Sequence, residues 1–426
     1  MTKIAFQTYG CRLNQSETSV VEHSFRTQGY TIVDIDSCPD IVVINTCTVT
    51  ENGDSDTKHL VYRLSHQNPS VRIALIGCQA QIQKNRLTSL PNVSWIVGNA
   101  RKMDLASIIQ NTHSDDTIQV ITPSIPRENF VIPIIEEDFQ RRRANLKIQD
   151  GCDFFCSFCE IPFARGRARS RVFDDIIRQA EILVQNGHKE IVLTGINLGT
   201  YGHETKTLSD ILDGLENLNG LERVRISSIE PTTVSFELIE RMGTTKLCRY
   251  LHIPLQSGSN NVLAKMQRKY TTEFFSAFIN KIHEFNPSIC IGTDVIVGFP
   301  GESAQDFEQT CQLIKNLPLA YAHVFSYSDR TRNKSRLFTP KIPATTIQQR
   351  SKILRGMSLR KNQMFIRRFL GTTSSVLFEE KKSQFWYGLT DNYLRTMVET
   401  EKYLHNQTLP VQIKDVNGSC AIGVLA

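Results

Sequence analysis

The sequence predicts an α/β protein of three units: a small parallel α/β domain, an incomplete barrel of six βα repeats, and a short antiparallel β-barrel. Two stretches alternate short apolar runs with segments of helical period, each at its own repeat length. From Gly371 to Ala426 the pattern changes to strict apolar and polar alternation, as in strands with one wet face. A chain of 426 residues also suits about three domains of roughly 150 residues each.

The first unit, expected over residues 1–112, has three buried strands: Lys3 to Tyr9 (KIAFQTY), Asp40 to Asn45 (DIVVIN) and Val71 to Ile76 (VRIALI). Cys11, Cys47 and Cys78 follow these strands closely, after Gly10, Thr46 and Gly77. Ligands of open parallel sheets bind outside the carboxyl ends of the strands, so three loops bring three thiols to one edge. A single cysteine so placed is ordinarily a small buried hydrophobe. Three at equivalent places point to a metal-holding set. Cys38 precedes its strand and takes no role, nor do Cys248, Cys290, Cys311 and Cys420.

The second unit, expected over 138–368, opens on the run Ile148 to Ser170, IQDGCDFFCSFCEIPFARGRARS. Cys152, Cys156 and Cys159 are one ligand short of a closed site. A structural zinc asks for four Cys or His ligands, and no His lies between His113 and His188. Soft thiolates without a local fourth partner favour a four-iron cluster that leaves one iron open. Strands are expected at Leu146 to Gln149, Glu190 to Thr194, Arg223 to Ser227, Tyr250 to Leu255, Gly292 to Val297 and Tyr321 to Ser326. The cysteine loop follows the first, on the face where such barrels carry their sites. TGINLG, SSIEP, PLQSGS and VGFPGE close later strands with small and polar residues that let a ligand approach the backbone.

Net charge is +6, yet Arg330 to Leu370 holds twelve Lys or Arg and no acid, which leaves the remainder at −6. Such local basicity points to a polyanion, with a solvated helix face as the alternative. The third unit, expected over 370–426, carries Phe385, Trp386, Tyr387, Tyr393 and Arg395, of which Tyr393 and Arg395 are candidates for RNA contact. Core filling is the alternative for the aromatic residues. Eleven cysteines and a start without an apolar leader fit reduced thiols in a cytoplasmic protein. No run approaches the roughly 18 apolar residues of a membrane span.

The cysteine loop resembles that of the radical S-adenosylmethionine superfamily. With TYGCRLNQSE, NTCTVT, IGCQAQ and a C-terminal module resembling the TRAM fold, itself OB-like, essentially the whole chain is similar to the methylthiotransferases. GCRLNQSE, CEIPFARGRARSR, ISSIEP, LHIPLQSGS and TDVIVGFPGE resemble the branch acting on threonylcarbamoyladenosine beside the tRNA anticodon. After YSDR (Tyr327 to Arg330) this chain reads TRNKS, where the family has a Gly-Thr pair.

The resemblance implies two 4Fe-4S clusters and S-adenosylmethionine. Cys152, Cys156 and Cys159 would hold the radical-generating cluster, and Cys11, Cys47 and Cys78 an auxiliary cluster that carries the sulfur to be inserted. Gly195, Asn197, Ser228, Glu230 and Gln256 would surround S-adenosylmethionine. One S-adenosylmethionine would methylate the sulfur, and a second would yield the radical that takes hydrogen from adenine carbon two. A flavodoxin or ferredoxin would supply electrons. Alternatives are the same chemistry on isopentenyladenosine or on a ribosomal-protein aspartate, and, from another class, a non-catalytic metal-containing RNA-binding protein. Arg165, Arg167, Arg169 and Arg171 could serve cofactor, RNA or nearby acids.

Overall fold

The structure, a computed structural model, describes residues 1–48, 51–112, 117–134 and 143–426, with the side chains of 51 and 52 excepted. The expected domain start at 138 lies outside the described residues.

The N-terminal sheet comprises β1 (Lys3–Thr8), β2 (Thr31–Ile32), β3 (Ile41–Thr46), β4 (Arg72–Gly77), β5 (Val93–Val97) and β6 (Gln119–Ile121). All pair in parallel, in the order β2-β1-β3-β4-β5-β6. Every residue of β3, IVVINT, is buried, as a parallel strand covered on both faces requires. The Arg12–Thr27 helix packs Val21 and Phe25 on Ile4 and Val43, while Leu60, Val61 and Leu64 cover Val42 and Ile44 on the other face. β6 carries this sheet beyond residue 112, the expected domain end.

The central unit begins with β7 (Arg143–Lys147), and the short pair β8 (Gln149–Asp150) and β9 (Arg169–Ser170) brackets the cysteine loop. β10 (Glu190–Thr194), β11 (Arg223–Ile226), β12 (Tyr250–His252), β13 (Cys290–Val297) and β14 (Tyr321–Ser326) complete it. Two parallel triplets form, β7-β10-β11 and β12-β13-β14. A sparse seam joins them, with a parallel bridge between Val224 and Leu247 and a bond from Ile229 N–H to His252 O at 3.1 Å. The expected strand to Leu255 stops at His252, because Pro254 has no N–H for the ladder. Ile191, Leu193, Val224, Leu251, Val295 and Val297 share the core with the surrounding helices.

The basic stretch forms the 24-residue helix Ala344–Arg367, which buries Leu354, Phe365 and Ile366. β15 (Thr373–Lys382), β16 (Phe385–Thr390), β17 (Arg395–Glu399), β18 (Thr408–Asn417) and β19 (Cys420–Leu425) then close a barrel in the order β15-β16-β17-β19-β18. Trp386 belongs to its core with Val376, Phe378 and Val411. Arginines of β11 dock the barrel: Arg223 donates to Leu389 O at 2.9 Å, and Arg225 to Asp391 O at 2.9 Å and Thr390 O at 3.1 Å. Arg249 pairs with Asp391 at 2.6 Å.

Candidate active site at the junction of three domains

Strand register explains the first cysteine set. Thr46 on β3 faces Gly77 on β4, so Cys47 and Cys78 leave neighbouring strands at one level. Thr8 on β1 faces Asn45, and Gly10 turns the chain with φ 99° to present Cys11. A Cβ on Gly10 would come within 2.9 Å of Cys47 Sγ, so glycine lets the two cysteine loops approach. Cys78 is buried and receives a bond from Asn99 Nδ2 at 3.6 Å, whereas Cys11 and Cys47 open onto a cavity.

The second set lies on one loop. Gly151 has φ 71°, and a Cβ there would sit 1.9 Å from Arg167 O. Cys152 N–H bonds Gly166 O at 3.1 Å, and Cys159 N–H bonds Cys156 O at 3.0 Å. Ser157 Oγ ties the loop to Lys265 O at 2.8 Å. The departing TRNKS segment docks here too: Asn333 Nδ2 donates to Phe158 O, and Ser335 N–H to Ser157 O at 3.0 Å.

Burial pushes the Cys152 thiol up to about 11 and raises Cys159 as well. Cys156 also rises by burial, against the opposing pull of Arg268, whose Nη1 donates to its Sγ at 3.2 Å. Thiols that are neutral at pH 7 become ligands only when a metal displaces their protons. Three soft sulfurs on a glycine-shaped loop fit a four-iron cluster with one open iron, and the converging loops of Cys11, Cys47 and Cys78 fit a second. Among the described residues no three Cys, His, Asp or Glu side chains close at the spacing of a single metal ion.

A cavity of about 1020 Å³ lies between the units. Cys11, Arg12 and Cys47 line one side, Gly195, Ser228, His252 and His323 the barrel, and Glu379 and Tyr393 the C-terminal barrel. A smaller cavity of about 180 Å³ joins Cys159 to Gln256, and Asp294 and Phe325 line both.

Of the residues expected around S-adenosylmethionine, Gly195 and Ser228 thus face the large cavity and Gln256 the small one. Gly195 is packed so closely that a Cβ would lie 3.0 Å from Gln149 Oε1. That oxygen also accepts from Ile196 N–H at 2.9 Å and Asn197 N–H at 3.0 Å, which fixes the loop after β10. Asn197 Oδ1 accepts from Thr233 Oγ1 at 3.0 Å, while its buried Nδ2 has no partner. Glu230 pairs with Arg268, and burial pushes its carboxyl up against that pull.

Tyr393 lines the large cavity with its ring stacked on Tyr250 at 4.3 Å. Arg395 lies over Tyr387 and reaches Glu380 at 3.4 Å, in an adjoining cavity of about 640 Å³. The four loop arginines find acids. Arg165 binds Glu17 and Asp150, Arg167 binds Asp153, Arg169 reaches Asp150, and Arg171 binds Asp175. Arg350 and Arg330 of the basic run are likewise paired, with Glu302 and Asp54. Lys352, Arg355, Arg360 and Arg367 are exposed on the long helix.

Sequence reasoning missed Arg268, Gln149 and the His252–Asp294 pair at 2.9 Å. Arg268 lies 112 residues from Cys156 in sequence, and no local pattern announces such a contact.

Residues 146–314 match the model of the Radical SAM superfamily, and residues 3–98 that of Uncharacterized protein family UPF0004. The chain is 37% identical over 398 residues to threonylcarbamoyladenosine tRNA methylthiotransferase MtaB of Aquifex aeolicus, spanning 92% of this chain and 95% of the relative. Identity to the protein of the same name in Bacillus subtilis is 35%, over 97% of this chain and 94% of that one. A tRNA-2-methylthio-N(6)-dimethylallyladenosine synthase of Ehrlichia ruminantium is 30% identical over 100% of this chain and 99% of its own length. Among solved structures, the radical S-adenosylmethionine methyltransferase TsrM of Kitasatospora setae aligns with a TM-score of 0.58 at 12% identity. It covers 79% of this chain and 74% of that one, a likeness of fold.

Proposed function

The chain belongs to the radical S-adenosylmethionine tRNA methylthiotransferases, and on that premise we propose that it inserts a methylthio group at carbon two of N6-threonylcarbamoyladenosine in tRNA. The observation that carries this reading is the single cavity in which Cys11 and Cys47, the strand ends of the barrel and Tyr393 of the C-terminal barrel meet. Carbon-hydrogen cleavage and sulfur delivery must act on one carbon, and the smaller cavity at Cys159 meets this one at Asp294 and Phe325, which supports the proximity they need.

In this reading Cys152, Cys156 and Cys159 hold the radical cluster, and Cys11, Cys47 and Cys78 the auxiliary one. When bound, the clusters and S-adenosylmethionine supply radical chemistry and the transferable sulfur, work that side chains cannot do. The protein's residues orient and seclude. Gly195 lets the loop after β10 pack tightly on Gln149 and Leu198 at the cavity wall, and Asn197, buried behind it, ties that loop to Thr233. Arg268 steadies Glu230 while donating to the Cys156 sulfur. Burial, then His252, lowers His323, so this cavity imidazole stays neutral near pH 7. The C-terminal barrel closes the third side as a TRAM module, and the exposed cations of the Ala344–Arg367 helix meet RNA phosphates. Electrons come from a small carrier such as flavodoxin or ferredoxin, and the protein works in the cytoplasm. Among the described residues no helix is long and apolar enough to cross a membrane.

Nucleoside mass spectrometry of tRNA from cells lacking the gene tests the reading. Loss of methylthio-threonylcarbamoyladenosine, restored by the unmodified chain but not by Cys47→Ala or Cys156→Ala, is expected. An unchanged level of that nucleoside would overturn the substrate assignment.

A further inference from the structure

Arg12 opens the Arg12–Thr27 helix and lines the junction cavity directly after Cys11. The other charged side chains of that wall have partners within the protein. Arg143 pairs with Glu379 at 2.5 Å, Glu380 with Lys382 at 2.8 Å, and Asp294 with His252 at 2.9 Å. Arg12 has a neutral partner only: its Nη2 donates to Tyr393 Oη at 3.2 Å, and among the described residues no carboxylate pairs with it. Tyr393 is itself fixed, stacked on Tyr250, whose hydroxyl bonds Tyr321 Oη at 2.8 Å. Arg143, on the same wall, is by contrast held between two acids, Glu379 at 2.5 Å and Glu190 at 3.9 Å.

A half-buried cation held on a stacked aromatic platform in a cavity wall, with no carboxylate paired to it among the described residues, suits an anionic ligand. The threonylcarbamoyl group is such a ligand, because threonine joined through its amine keeps a free carboxylate that is ionised at neutral pH. A dimethylallyl group is uncharged and would leave the Arg12 guanidinium without an anionic partner, the situation in which polar sites reject an analogue most strongly. We propose that Arg12 receives the carboxylate of the substrate's threonylcarbamoyl group and so sets specificity for it. The inference rests on the functional reading above and adds a residue-level determinant to it.

The test uses the full chain with reconstituted clusters and three synthetic anticodon stem-loops. They differ only in carrying threonylcarbamoyladenosine, its methyl ester, or dimethylallyladenosine, and affinity is read by fluorescence anisotropy. The unmodified chain should bind the acid more tightly than the ester. Arg12→Gln should lose about ten- to a hundredfold for the acid, the range for hydrogen bonds to a charged group, and leave the ester unchanged. Arg12→Lys should recover part of the loss. Equal weakening of acid and ester by Arg12→Gln, or an acid preference that survives it, would overturn the inference while leaving the substrate assignment intact. Should Arg12→Gln take up less iron than the unmodified chain, Arg12→Lys at full iron content decides, since a charge-dependent site must keep part of the acid preference there. Tightest binding of the dimethylallyl stem-loop by the unmodified chain would overturn the functional reading itself.

Discussion

Replacing Glu17 by Gln is the sharpest test of how the first two domains are joined. Glu17 lies fully buried on the Arg12–Thr27 helix and meets Lys147 at 2.7 Å and Arg165 at 2.9 Å, both from the central unit, as well as Lys102. Asp150 is the other carboxylate among these cations, at 2.6 Å from Lys147 and 3.0 Å from Arg165. Burial lowers Lys102 to about 8, which leaves it mostly charged at neutral pH. Glu17→Gln keeps the side-chain shape and removes one charge, so three buried cations face Asp150 alone. Uncompensating a buried ion pair costs about 3–5 kcal/mol, a large part of a total stability of order 5–15 kcal/mol. Urea unfolding followed by circular dichroism, with hydrogen exchange of the Arg12–Thr27 helix, measures the loss. pH supplies an independent signature. Burial alone would raise the Glu17 carboxyl, but Arg165, Lys102 and Lys147 outweigh it and hold the group well below the usual range. Its contribution is therefore complete above the unfolded value near 4.3 and is lost as pH falls through the lower folded value. The gap between wild type and Glu17→Gln should be constant from about pH 5 upward and narrow below about pH 4. A loss under about 1 kcal/mol, or a gap that widens in acid, would refute the reasoning.

Three further outcomes follow from the same geometry. Gly151→Ala forces a side chain into positive φ, at about 1–3 kcal/mol, and onto Arg167 O; iron content after reconstitution should fall by one cluster's share, and wild-type iron at an unchanged melting temperature would count against it. Arg268→Gln removes the donor to Cys156 Sγ and the partner of Glu230; S-adenosylmethionine cleavage should drop at least tenfold, about 1.4 kcal/mol, with tRNA affinity unchanged, and undiminished cleavage would contradict the assigned role. Reversing Lys352, Arg355 and Arg360, exposed on the long helix, should weaken tRNA binding and flatten its dependence on the logarithm of salt by about 0.7–0.9 per lost phosphate contact; an unaltered slope would show that this face does not meet RNA.

What the sequence made legible was local. Strand-ending cysteines announce themselves because Ile41 to Ile44 of β3 and Ile73 to Ile76 of β4 are unbroken apolar runs and a thiol follows each within three residues. In the Cys152 loop three closely spaced thiols and the phenylalanines between them stand within eight residues, so the cluster of sulfurs is visible in the sequence itself. By contrast, Arg165 is bound to Glu17 across 148 residues, and nothing near either one says so. Charge runs misled in part: Arg350 and Arg330 serve buried or half-buried acids, so only some of the twelve cations are available to a polyanion. Trp386 illustrates the ambiguity of aromatic residues, since the alternation that marks a strand does not say which face will be the core of a closed barrel. β6 escaped notice because three residues at a sheet edge carry almost no period.

The junction cavity also has a history within each molecule. Cys11 and Cys47 leave the ribosome first, the Cys152 loop follows, and Tyr393 emerges near the end, while domains fold as units from the N-terminus. Until β15 to β19 dock on Arg223, Arg225 and Arg249, the wall that Glu379, Glu380 and Tyr393 give this cavity is missing. A growing chain therefore carries the Cys11 and Cys47 side of the cavity long before it carries the whole of it, and the order of synthesis makes the last barrel the piece that completes it.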